Sequence, residues 1–157
     1  MKVYLGADHG GFPLKEKVKA WLTAWKVTFE DKGAYTLDPE DDYPQFAFAV
    51  AEVIGPKDRG IIVCRSAAGL VIAANKVPGV RAVAVFDERG AINARTHNDA
   101  NVLGLSADWT DEKTTEKIIK AFLKTEFSKE ARHKRRLGQI EDYEQSCCGG
   151  DSCGDCS

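Results

Sequence analysis

Short apolar runs alternate with stretches of helical period along most of the chain, and no other feature restricts the fold so strongly. "KVYLGAD" (2–8), "VTFED" (27–31), "GIIVC" (60–64), "VRAVAVF" (80–86) and "ANVLGLS" (100–106) read as strands. Between the first two, Leu14, Val18, Trp21, Leu22 and Trp25 recur at helical spacing behind Pro13, whose missing N–H suits a first turn. Phe46, Val50, Val53 and Ile54 mark a second helix after the acidic loop "DPEDDYP" (38–44), and another comes after the loop at Cys64. Further helices are predicted over about 88–97, 111–124 and 129–144, the last rich in charge. The strands at 60–64 and 80–86 are nearly continuous in apolar residues, as parallel strands covered on both faces are. Strands and helices of these lengths build right-handed βαβ units. The predicted fold is therefore α/β, a doubly wound, mainly parallel five-stranded sheet with a C-terminal helix.

A chain of 157 residues suffices for one domain with a substantial core. Its 22 basic and 24 acidic residues nearly balance, so no global field recommends a nucleic acid or a membrane as partner. No apolar run approaches the roughly 18 residues of a membrane helix. "MKVYLGADHGG" reaches an acid too soon for a secretory signal, so a cytoplasmic protein is expected. Only Cys64 lies in the body of the chain, while Cys147, Cys148, Cys153 and Cys156 crowd into its end. That distribution does not suit a disulfide scaffold.

Ligands of such a sheet bind outside the carboxyl ends of the strands, near the switch in strand order. Asp8 and His9 come directly after the first strand, Cys64 ends the third, and "RTHNDAN" is carried by the helix after the fourth. Asp8, Cys64 and His97 are thus expected where a site should form. Two readings of Cys64 stand on these residues alone. It is an inert buried thiol, or a thiolate stabilised by the next helix N-terminus beside an anion-binding nest of N–H groups. His9 and His97 suit acid–base work, and Asp8 suits orienting a ring or exchanging protons with a hydroxyl. No P-loop or dinucleotide fingerprint is present, which argues against a nucleotide and for a smaller anion. Asp8, His9, Cys64 and His97 lack the spacing of a recognised zinc motif, so no metal is expected. Arg132 and Arg136, four apart on the last helix, either clamp a phosphate or form a solvated face.

Five stretches in order, "LGADHGGFPLK", "DDYP", "VC…G…IAANKVPGVRA", "ARTHNDANVLGL" and "RHKRR", resemble the type B ribose-5-phosphate isomerases, a family that includes the galactose-6-phosphate isomerase subunits. The resemblance covers residues 1–144. It implies a Rossmann-like sheet and a homodimer or dimer of dimers with sites shared between subunits. It also implies aldose–ketose isomerisation of a sugar phosphate, most simply ribose 5-phosphate, without metal or organic cofactor. On that resemblance Cys64 moves a proton between C2 and C1 through an enediolate, and His97 with Asp8 opens the furanose ring. Ser66 relays protons between O1 and O2, Tyr43 and Asn98 line the sugar, and His9, Arg132 and Arg136 hold the phosphate. A branch of the family uses a loop glutamate instead of the cysteine; here that position is Leu70.

The loop after the cysteine departs from the family pattern C-G-T-G-x-G, reading Cys64, Arg65, Ser66, Ala67, Ala68, Gly69. Asp108 also stands where relatives commonly place a phosphate-binding arginine. Three explanations stay open. Arg65 supplies the charge that Asp108 removes; Arg65 and Asp108 pair and narrow the site for another sugar or sugar phosphate; or catalysis is lost and a ligand-binding or assembly module remains. Residues 145–157, "QSCCGGDSCGDCS", lie beyond the resemblance and have no apolar residue besides cysteine. They read either as a flexible reduced tail or as four thiolates gathered on one zinc, although the C-C-x₄-C-x₂-C spacing is not a standard zinc site.

Overall fold

Apolar strands too short to stand alone are brought into register by the helices between them. Residues 1–148 are described by a computed structural model, and they fall into two units, Met1–Phe127 and the segment from Ser128 on. The first unit holds β1 (Val3–Ala7), α1 (Phe12–Ala24), β2 (Phe29–Asp31), α2 (Tyr43–Ala51), β3 (Arg59–Cys64), α3 (Ala68–Ala74), β4 (Ala82–Ala84), α4 (Glu88–Asn98), β5 (Val102–Ser106) and α5 (Glu112–Lys124). The sheet order is β2-β1-β3-β5-β4 and every pairing is parallel. The chain turns outward from β1 to β2 and then returns past β1 to β3, so the switch point lies between β1 and β3.

Alternation along the strands feeds two cores. Val3, Leu5, Ile61, Val63, Leu103 and Leu105 point to one face, under Leu14, Val18 and Leu22 of α1 and Ile118, Ile119 and Phe122 of α5. Ile62, Cys64 and Val102 point to the other, against Ala47 and Val50 of α2 and Leu70 and Ala73 of α3. Each fully buried Leu, Ile or Phe contributes about 1.5–3 kcal/mol, which is why these faces fix the register.

A buried cation ties the first core to the loop after β2. Lys15 is fully buried on α1, where its Nζ meets Asp31 Oδ1 at 2.7 Å and donates to the Ala34 carbonyl. Asp31 also meets Lys19 Nζ at 2.8 Å.

The structure corrects several sequence-based bounds: the second helix ends at Ala51, before Val53 and Ile54, and the second strand is only Phe29–Asp31. Tyr43 begins α2 instead of closing the acidic loop, because Pro44 sits in the first helical turn. β4 pairs over three residues only, Ala82–Ala84, where seven were expected. As the edge strand it has a single neighbour, and Phe86 beyond it is exposed. In the second unit α6 spans Ala131–Cys148, so residues 145–148, expected in the flexible tail, are helical. The helix-breaking pair Gly149–Gly150 comes only after them in the sequence. The rest of the tail reading, including Cys153 and Cys156, lies outside the described residues. No helix among the described residues is long and apolar enough to cross a membrane.

Candidate active site

The carboxyl ends of β1 and β3 are adjacent, with Ala7 paired to Val63, so Asp8 and Cys64 emerge side by side at the switch point. Asp8 is buried, and its Oδ1 accepts the Gly11 N–H at 2.8 Å. Burial pushes the Asp8 carboxyl up from the ordinary carboxylate range, against the Gly11 N–H that pulls it down. Cys64 is 5 % exposed. Burial and then the Asp8 carboxylate push its thiol up, while the N–H groups of Leu70, Ser66 and Ala67 pull it down without prevailing. Both features read from the sequence are therefore present, a buried thiol and a nest of N–H groups, and the loss of water outweighs the nest in setting the thiol's acidity.

The loop after Cys64 carries real backbone strain. Ala67 caps α3 at φ 66°, ψ −19°, in the left-handed region, with its side chain fully buried. An alanine there costs about 1–2 kcal/mol relative to an unstrained backbone. Arg65 is not among the positive-φ residues, so of the two replaced glycines only the one at 67 meets a left-handed position. Ser66 Oγ lies 3.4 Å from the Ala68 nitrogen. Gly69 lets the Tyr43 ring lie over the loop: a Cβ there would fall 3.0 Å from Tyr43 Cε2.

His9 is fixed by a residue that sequence reasoning missed. Asp41 Oδ1 accepts the His9 backbone N–H at 3.0 Å and lies 2.7 Å from Nδ1. The hydrogen bond to Asp41 raises the His9 pKa above its ordinary value, although Arg65 nearby opposes the charge. Asp41 was legible only as part of "DDYP"; its partner lies 32 residues away, on another loop. Ser106 was missed as well. Its Oγ donates to the Arg65 carbonyl at 2.6 Å and accepts the Trp109 N–H at 3.0 Å, joining the loops after β3 and β5. Across that junction Arg65 Nε meets Asp108 Oδ2 at 3.0 Å. A cleft of about 410 Å³ opens beside Gly10, Ala107 and Asp108.

Asp8, His9, Tyr43, Cys64, Arg65, Ser66, Ala67, Ala68, Gly69 and Asp108 thus gather at one end of the sheet. His97 and Asn98 do not. The helix after β4 runs back along the sheet, so its last turn lies ahead of β5, at the amino ends of the strands. Five strand residues at about 3.3 Å each separate that turn from the loop holding Asp108. The expectation that His97 stands with Asp8 and Cys64 at the strand ends where a site should form is therefore corrected. The turn is itself firmly held. Arg95, 1 % exposed, pairs with Asp99 Oδ1 at 2.8 Å, and Arg81 Nε donates to the Asn98 carbonyl at 3.2 Å. Arg132 and Arg136 stand one turn apart on α6 in the second unit, where Glu130 Oε2 holds Arg132 Nε at 2.9 Å. No three His, Cys, Asp or Glu side chains among the described residues form a metal-ligand set.

Known proteins match this arrangement closely. A probable ribose-5-phosphate isomerase B of Mycoplasma pneumoniae is 39% identical over 145 residues, which cover 91% of this chain and 95% of that protein. The ribose-5-phosphate isomerase B of Mycolicibacterium paratuberculosis is 39% identical, with 93% of each chain covered. The crystal structure of ribose-5-phosphate isomerase B from Mycoplasma genitalium with bound ribulose-5-phosphate superimposes with a TM-score of 0.88 at 39% identity, covering 92% of this chain and 96% of that one. The type B enzyme of Trypanosoma brucei gives 0.85 at 41% identity, covering 90% and 97%. The sequence profile of the Ribose/Galactose Isomerase family matches residues 3–140, and the chain belongs to that family.

Proposed function

We propose that this protein interconverts ribose 5-phosphate and ribulose 5-phosphate by proton transfer through an enediolate. The observation that carries the reading is the cysteine and carboxylate emerging together at the switch point of a chain in this family. Cys64, as thiolate, takes the proton from C2 and returns it to C1, and Ser66 passes protons between O1 and O2. The N–H groups of Ser66, Ala67 and Leu70 that face the sulfur suit a site where negative charge develops. His9, whose imidazolium form Asp41 favours, holds the phosphate; Tyr43 lines the sugar.

His97 and Asn98 serve the site of a second copy, because their own Cys64 lies at the opposite end of the sheet. The protein is therefore a homodimer, or a dimer of dimers, with ring opening by His97 of one copy beside Asp8 of the other. By the family resemblance, Arg132 and Arg136 also bind phosphate. The reaction needs no metal or organic cofactor, and the protein works in the cytoplasm with residues 1–144 carrying the activity.

The test is to incubate the purified protein with ribose 5-phosphate in deuterated water and follow the sugar by proton NMR. Ribulose 5-phosphate is expected, with deuterium at the transferred position, and Cys64→Ala is expected to abolish it. Silence over a panel of pentose and hexose phosphates would overturn the reading in favour of a binding module.

A further inference from the structure

The loops after β3 and β5 stay joined beyond the sheet. Ala107 N–H donates to the Cys64 carbonyl at 2.9 Å, and Asp108 N–H to the Arg65 carbonyl at 3.1 Å. With Ser106 Oγ also donating to that carbonyl, the backbone of Arg65 is fixed directly beside the cysteine. The side chain then has a defined path. Its stem fills the space over Gly10, where a Cβ would fall 2.3 Å from Arg65 Cγ. Gly10 is next to His9 in the chain, so the guanidinium is delivered to the same side of the site as the imidazole.

The His9 imidazole and the Arg65 guanidinium thus lie on one side of the site, and each is backed by its own carboxylate, Asp41 or Asp108. The Arg65 pair uses Nε alone, which leaves both Nη groups without a partner among the described residues. The pair is largely solvated, with the Arg65 side chain 71% exposed and Asp108 43%, so it stabilises the fold little. A guanidinium oriented through Nε presents the planar fork that matches two oxygens of a phosphate monoester.

We propose that Arg65 is a substrate-binding residue that grips the phosphate alongside His9, and that Asp108 is the positioning residue that aims it. The proposal rests on the sugar-phosphate reading of the site and adds a contact on this chain's own loop. It favours, among the three explanations of the loop, the one in which Arg65 supplies positive charge.

The test uses the full chain and the variants Arg65→Gly, Arg65→Lys and Asp108→Asn. Two quantities are measured, KM and kcat for ribose 5-phosphate and the dissociation constant of inorganic phosphate by calorimetry. Arg65→Gly is expected to weaken phosphate binding and raise KM by about tenfold, with kcat within about twofold, since the contact binds without reacting. Arg65→Lys is expected to recover part of the loss, because it keeps charge but not the fork. Asp108→Asn is expected to fall between, about threefold weaker. Phosphate affinity that is unchanged or tighter in Arg65→Gly would overturn the proposal, and affinity that is unchanged, or tighter through relief of carboxylate–phosphate repulsion, in Asp108→Asn would remove the positioning role. If the wild-type protein turned over no sugar phosphate, the reading of its activity would fail while the phosphate measurement still decided Arg65.

Discussion

At the scale of the residue, strain and charge at the site make separable predictions. Ala67 holds a left-handed backbone with a Cβ, and glycine would release that strain. Ala67→Gly is expected to leave stability within about 1 kcal/mol of the wild type, because release of about 1–2 kcal/mol of strain is offset by the extra entropy glycine loses on folding and by the lost burial of one methyl. Urea unfolding of the two proteins measures it. His9 tests the electrostatics. Its hydrogen bond to Asp41 raises the pKa above the ordinary 6.5, so the imidazolium persists further into the neutral range. Substrate affinity through His9 should therefore be complete below 6.5 and be lost as pH rises through the raised value. Asp41→Asn removes the negative charge that favours the imidazolium, so the rise in KM should begin at lower pH than in the wild type. A KM profile that does not move between the two proteins would exclude the role given to Asp41.

At the scale of the element, the strands and helices were legible because burial dictates composition: Ile61, Ile62 and Val63 in a row admit little else than a strand covered on both faces. The positions of Asp8 and Cys64 at the ends of β1 and β3 were legible for the same reason, since a strand's end is where its apolar run stops. His97 was misplaced because the order of elements along the chain does not state their direction across the sheet. A helix after a parallel strand must return to the other end of the sheet, and eleven residues of α4 carry its last turn there. The Asp41–His9 contact was illegible because two loops 32 residues apart meet only in three dimensions. Lys15 was likewise hidden inside a helical pattern that charge usually leaves on the surface. Its burial against Asp31 and Ala34 ties α1 to the loop after β2. Lys15→Met is expected to destabilise the protein by about 3 kcal/mol, at the low end for breaking a buried pair because Lys19 still accompanies Asp31. Chemical unfolding with an unchanged midpoint would mean that the pair contributes nothing net.

At the scale of the whole molecule, the decisive relation is between two ends of one sheet. Cys64 ends β3 at the carboxyl edge, whereas His97 precedes β5 at the amino edge, and both belong to rigid elements. Loop motion cannot bring them together in one copy, because Arg95 and Arg81 pin the turn that carries His97. If both groups serve one reaction, each site must draw Cys64 from one copy and His97 from another, as an isologous two-fold interface permits. Subunit mixing gives a direct reading. Cys64→Ala and His97→Asn proteins are each expected to be nearly inactive. Co-expressed, they form mixed dimers in which one site inherits both defects and the other inherits neither. With random pairing half the dimers are mixed, so about a quarter of the wild-type activity should return. A site built within one chain would instead stay silent, since every chain carries one defect. Recovery near a quarter would thus tie the oligomer to the chemistry, and no recovery would confine His97 to a structural role at the amino edge.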